Sequence, residues 1–130
     1  MSAQGQTVAS VARRGYLRGF NDDELFTRQV VKLAEELGEL ADSIDTPDKE
    51  LQQLFHDLGK AGMRARIIFD NPALVIDATI NDTQAAISEL TDAQVVLAVA
   101  AHALGIPDVM FAASQKARQD ATRGVRQNGG

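Results

Sequence analysis

Between Phe26 and Ile44 the apolar residues fall at Phe26, Val30, Leu33, Leu37, Leu40 and Ile44, steps of four and three that a helix brings to one side. Asn21, with Glu24 three residues on, has the form of a capping box and marks the start of this helix. Its apolar seam is expected to pack against other helices. Asp45-Thr46-Pro47 ends it, with Thr46 suited to cap the next helix and Pro47 to open it. That second helix is expected from Asp48 to about Phe69, with Leu51, Leu54, Phe55, Leu58, Met63 and Ile67 near one side, although Gly59 and Gly62 weaken it. Asp70-Asn71-Pro72 breaks it. The stretch 73–80 holds Val75, Ile76, Thr79 and Ile80, but a lone strand has nothing to pair with, so it reads as a connection or short helix. Asn81 or Asp82 is expected to cap a third helix that ends near Leu104, stopped by Gly105 and Pro107. Its portion Ala93 to Leu104 is apolar nearly all round, as in a helix buried in a bundle or at a subunit contact. A fourth helix, from Pro107 or Asp108 to Arg123, is expected to bury Val109, Met110, Ala113 and Ala117. Helices joined by short breaks predict an all-α fold resembling a four-helix bundle.

With 130 residues and 45 % apolar content, one packed core is expected. Residues 1–20 read as a weakly ordered N-terminal arm, 21–124 as one helical domain and 125–130 as a tail. No run approaches the roughly 20 apolar residues of a membrane span, and Arg13 and Arg14 are not followed by an apolar signal segment. A soluble, cytoplasmic protein without a membrane partner is expected. The absence of cysteine excludes disulfides and thiolate chemistry. Asp and Glu outnumber Lys and Arg by 18 to 13, a net charge of −5, which argues against general nucleic-acid binding. An anionic ligand must then be met locally or through a metal.

The acids are not scattered. Glu35, Glu36 and Glu39 form a strip beside the apolar seam of the first helix, with Glu36 nearest to it. Glu89 and Asp92, three apart on the third helix, share a face that Val96 and Val99 continue. Taken singly, each is an ordinary surface carboxylate. Together they repel, and Lys32 is the only base near the first group. A divalent cation resolves that imbalance, and Mg²⁺ or Mn²⁺ is what clustered carboxylate oxygens select. His56 and His102 are isolated and read as structural, and the chain has neither a GxxxxGK[ST] nor a GxGxxG phosphate loop.

The run Lys32-Leu33-Ala34-Glu35-Glu36-Leu37-Gly38-Glu39-Leu40, followed by Glu89-Leu90-Thr91-Asp92, resembles the EExxE and ExxD signature of MazG-like all-α nucleoside triphosphate pyrophosphohydrolases. The break at Gly105-Ile106-Pro107 and the basic Lys116-x3-Asp120-x2-Arg123 segment agree with it. The resemblance implies an oligomeric helical domain, a homodimer or homotetramer, that binds two or more Mg²⁺ ions, with Mn²⁺ as a substitute, and a nucleoside triphosphate. It carries Glu36, Glu39, Glu89 and Asp92 over as metal ligands. It makes Glu35 the acid that holds a further metal or orients the attacking water. Lys116 and Arg123 correspond to phosphate-binding positions, with Arg118 and Asp120 as further substrate contacts; Arg13, Arg14 and Arg18 compete for the phosphate role. The Glu39 to Glu89 interval is longer than the family commonly shows, and Asp120 stands where many relatives have Asn.

The implied reaction is attack of a Mg²⁺-activated water, oriented or deprotonated by Glu35 or a neighbouring glutamate, on the α-phosphorus, releasing pyrophosphate. The lean is toward a purine such as dGTP, as in the phage MazZ-type enzymes, with dUTP, dCTP or damaged nucleotides as alternatives. A non-catalytic helical interaction module with an acidic face is the reading from a different class.

Overall fold

A computed structural model describes residues 1–71 and 78–122, and every regular element among them is an α-helix. There are five: α1 (Ala3–Arg13), α2 (Asp22–Asp42), α3 (Lys49–Asp70), α4 (Thr83–Ala103) and α5 (Val109–Ala121). None is long and apolar enough to cross a membrane. Where one core is expected, the helices gather into two compact units, Gly19–Thr79 and a second made of Met1–Arg18 with the chain from Ile80 onward. The expected connection at 73–80 lies largely outside the described residues, as does the tail at 125–130.

In the first unit, α2 and α3 form an antiparallel pair. The Asn21 side chain accepts from Glu24 N–H at 2.9 Å and Glu24 returns the bond to Asn21 N–H at 3.2 Å, so the capping box is complete. Asp48, not Thr46, caps α3 by accepting from Leu51 N–H at 3.0 Å. Thr46 Oγ1 accepts from Asp48 N–H instead, and Pro47 precedes the helix. The carboxylate is the stronger acceptor and sits one residue from the first helical turn, so it displaces the hydroxyl from the capping role.

The packed face corrects the expected seam. α2 turns Arg28, Glu35, Gly38 and Ala41 inward, and α3 meets them with Gly62, Ala65 and Phe69. Val30, Leu33, Leu37, Leu40 and Ile44 remain about half exposed. The reason is steric: a Cβ on Gly38 would lie 2.8 Å from the Leu58 carbonyl oxygen and 2.9 Å from the Gly62 Cα. Two glycines let the backbones touch, which brings the small-residue stripe together and leaves the leucines outside. At the far end, Arg28 is buried to 2 % exposure with its guanidinium 4.4 Å from the Phe20 ring and 4.5 Å from the Phe69 ring. It donates to the Phe69 carbonyl at 3.2 Å. Burial pushes this guanidinium below its ordinary pKa, and the Asp70 carboxylate pulls it partly back.

In the second unit, α1 packs along α5, and α4 touches α5 more lightly. The stretch expected as an arm is therefore largely helix. Ser2 caps α1 by accepting from Gly5 N–H, and the Arg118 guanidinium of α5 donates to Gln6 of α1 at 2.9 Å. Asp82 and Asp108 cap α4 and α5 by accepting from Ala85 and Phe111 N–H, each at 3.0 Å. At the end of α4, Ile106 N–H donates to Ala101 O and Gly105 N–H to His102 O, with Gly105 at φ 79°. This is a Schellman ending, and its left-handed residue favours glycine. α4 itself buries little: Ile87, Leu90, Val95, Val96 and Val99 are all at least half exposed.

Candidate functional site

Glu35 is the one acid of the motif that the α2–α3 packing buries, at 6 % exposure. It looks into a groove of about 210 Å³ between the two helices. Glu39 and Asp42 line the same groove because they follow Glu35 by four and seven residues, one and two helical turns along the same stripe. Gly38, Gly59 and Gly62 leave its floor without side chains, and Met63 and Arg66 of α3 close the other wall. A Cβ on Gly59 would lie 2.8 Å from Asp42 Oδ1, so the missing side chain makes the space in which that carboxylate sits.

The electrostatics of this groove are uneven. Glu35 pairs with Lys32 one turn back on α2, and its other oxygen lies 3.9 Å from Arg66 Nε. Lys32 also reaches Glu36 at 3.7 Å, and Arg66 reaches Asp70 at 3.7 Å. Glu35 therefore finds two counter-charges, one more than the single nearby lysine expected from sequence. Among the described residues, none of the ion pairs reaches Glu39 or Asp42. Three carboxylates thus share the groove with one guanidinium.

The motif acids do not all behave alike. Glu36, expected nearest the seam and prominent among the ligands, has its side chain turned out of the groove and is largely exposed. Rotating 100° from Glu35 to Glu36 carries the side chain off the face that α3 covers. Glu89 and Asp92 lie exposed on α4, in the other unit. Lys116 is exposed on α5, Arg118 is engaged with Gln6, Asp120 is partly buried, and Arg123 lies outside the described residues. Asp42 and Arg66 were not among the expected site residues. The spacing from Glu39 could have signalled Asp42; nothing local signals Arg66, because its placement depends on how α3 registers against α2.

Among the described residues that line the groove, the side-chain oxygens are those of Glu35, Glu39 and Asp42, and carboxylate oxygens suit a hard divalent cation by donor chemistry. Among the described residues, no three Asp, Glu or His side chains converge on one point closely enough to hold an ion as they stand. No family model matches the chain, and neither a curated protein nor a solved structure matches it.

Proposed function

We propose that this chain is a MazG-like, Mg²⁺-dependent pyrophosphohydrolase that converts a nucleoside triphosphate to the monophosphate and pyrophosphate. The observation that carries the reading is the groove under the EExxE segment, where buried Glu35 stands with Glu39 and Asp42 and two of the three acids lack a cationic partner among the described residues. The paired motifs Glu35-Glu36-x-x-Glu39 and Glu89-x-x-Asp92 support it by resemblance. By resemblance, the proposed Mg²⁺ ligands are Glu35, Glu36, Glu39, Glu89 and Asp92; Asp42, which lines the groove with Glu35 and Glu39, is proposed as a further one. When bound, Mg²⁺ supplies Lewis acidity and neutralises phosphate charge.

The side chains have separate tasks. Glu35, held in one orientation by Lys32 and by packing, aligns a water and takes its proton as the water oxygen bonds to the α-phosphorus. The bond from that phosphorus to the bridging oxygen breaks, and pyrophosphate leaves with the electron pair. Lys116 and Arg123 are assigned to the phosphates, with Arg118 and Asp120 as further substrate contacts. A purine deoxynucleotide such as dGTP is the favoured substrate on resemblance.

The experiment is a panel of the common NTPs and dNTPs with dUTP, assayed for pyrophosphate with Mg²⁺ or Mn²⁺. Glu36→Gln and Asp92→Asn should each abolish release while the helical signal persists. Full turnover in both variants would remove the metal assignment.

One observation favours a second reading. Glu35 already has two counter-charges from the chain itself, which is what an acidic face of a helical interaction module requires. Such a module gains no thermal stability from Mg²⁺ with a non-hydrolysable triphosphate, whereas the enzyme does. In either case the exposed apolar residues of α4 are proposed to be covered by self-association into a dimer or tetramer.

A further inference from the structure

We propose that the groove between α1 and α5 binds a phosphate group through Ser10, Arg13 and Arg118. The proposal needs no metal and no residue of α2, and it shares only Arg118 with the pyrophosphohydrolase reading. The groove encloses about 160 Å³ and is lined by Met1, Gln6, Ala9, Ser10 and Arg13 on one side and by Arg118 on the other. Gln6, Ala9, Ser10 and Arg13 recur at steps of three and four, so they share one stripe of α1, the helix that packs along α5. Among the described residues, no acid lines this groove. The sequence has no Asp or Glu before Asp22, and α5 sets Lys116 and Arg118 against Asp120 alone. The α1–α5 pair is therefore positive within a chain of net charge −5.

Two details point this charge at a ligand. Arg118 donates through Nη2 to the side-chain oxygen of Gln6 at 2.9 Å. A neutral amide positions the guanidinium without cancelling its charge, and among the described residues neither Arg118 nor Arg13 belongs to an ion pair. The second detail is Ser10, which lines the groove at 4 % exposure. Neighbouring hydroxyls turn back to their own helices: Thr7 donates to Ala3 O at 2.8 Å and Ser114 to Phe111 O at 2.7 Å. Among the described residues, the Ser10 hydroxyl makes no such bond. A buried hydroxyl without a partner is unfavourable, and an oxyanion supplies the acceptor it lacks. Guanidinium forks are matched to phosphate oxygens in the same way. At roughly 30 Å³ per water, the groove has room for about five water molecules, which suits a phosphate group and falls short of the roughly 300 Å³ at which pockets for larger ligands begin.

The test is calorimetric binding of inorganic phosphate to the full chain, with a chelator present so that no divalent ion contributes, on variants whose helical signal matches wild type. Arg118→Gln is expected to bind about tenfold more weakly, since a charged donor is lost, and Arg13→Gln and Ser10→Ala about threefold more weakly each. Arg118→Lys keeps the charge without the planar fork and should recover only part of the affinity. Lys60→Gln removes the same charge from an exposed position on α3, in the other unit, and should bind as wild type does. Adenosine 5′-monophosphate, the second probe, should bind no more tightly than phosphate, because the groove is sized for the phosphate group alone. Binding about tenfold tighter than phosphate, weakened by the same variants, would support the site with a nucleotide as the source of the phosphate. The site is overturned if wild type binds neither probe, if any of Arg118→Gln, Arg13→Gln and Ser10→Ala binds as wild type does, or if Lys60→Gln loses as much affinity as Arg118→Gln. Each of those results leaves the pyrophosphohydrolase reading to its own test, the metal-dependent panel of triphosphates.

Discussion

Gly38 and Gly62 face one another where α2 crosses α3, so closely that a Cβ on Gly62 would stand 3.0 Å from the Gly38 Cα. This contact decides which stripe of α2 is packed, and with it which acid of the motif is buried.

Glycine substitutions along this crossing are expected to differ in sign. Gly38→Ala drives a methyl into the Leu58 carbonyl and the Gly62 backbone, which cannot yield as a side chain can. Overpacking of that kind costs about 1 to 3 kcal/mol, more than the roughly 1 kcal/mol that alanine gains in helix propensity. Gly59→Ala meets only the movable Asp42 carboxylate, so it should stabilise by about 0.5 to 1 kcal/mol while pushing that carboxylate off its seat. Urea unfolding followed by circular dichroism separates the two; equal effects would show that the close crossing does not hold in solution.

Arg28 should prove a structural residue. Arg28→Met keeps a long apolar stem but removes the hydrogen bond from Arg28 to the Phe69 carbonyl and the charge stacked between Phe20 and Phe69. A loss of about 2 to 3 kcal/mol is expected from the same unfolding measurement, from a charged hydrogen bond and cation–π contacts together.

Glu35→Gln preserves the size of the buried side chain and removes its basicity. On the pyrophosphohydrolase reading, pyrophosphate release should fall at least about a hundredfold, the contribution typical of a positioned general base. The unfolding midpoint should move little. A variant that keeps most of its turnover would show that another group takes the proton.

Self-association is tested on α4. Val96 is 67 % exposed, and Val96→Glu places a carboxylate where a subunit contact would have to bury it. An unpaired buried charge costs several kcal/mol, so sedimentation velocity should show a shift to the monomer if wild type associates through this face.

These outcomes follow from features that differ in how far sequence reveals them. The Asn21–Glu24 box is legible because both partners of each bond lie within one turn, whereas sequence leaves Asn81 and Asp82 open as the cap of α4 and gives Pro107 or Asp108 only as the start of α5. Thr46 reads as a cap from sequence because it and Asp48 are both capable of the role, and only the local backbone decides between them. The α1 segment reads as an arm from sequence because Gln4, Gly5, Gln6 and Thr7 carry no apolar stripe; its place is set by Ser2 and by packing on α5, a partner distant in sequence. The acidic strip was legible as a strip, but not its division. Separating Glu35 from Glu36 requires knowing which side of α2 the next helix covers, and Gly38 and Gly62 determine that; of the two, sequence marks only Gly62, and only as a weakness in its helix.

The Lys32–Glu35 pair bears on the order of events in the life of the molecule. A buried carboxylate that brings its own ammonium does not have to wait for an ion before its helices can close. On the hydrolase reading, a chelator should then silence the protein without melting it, and restoring the metal should revive it at once. On that same reading, folding and metal binding are separate steps.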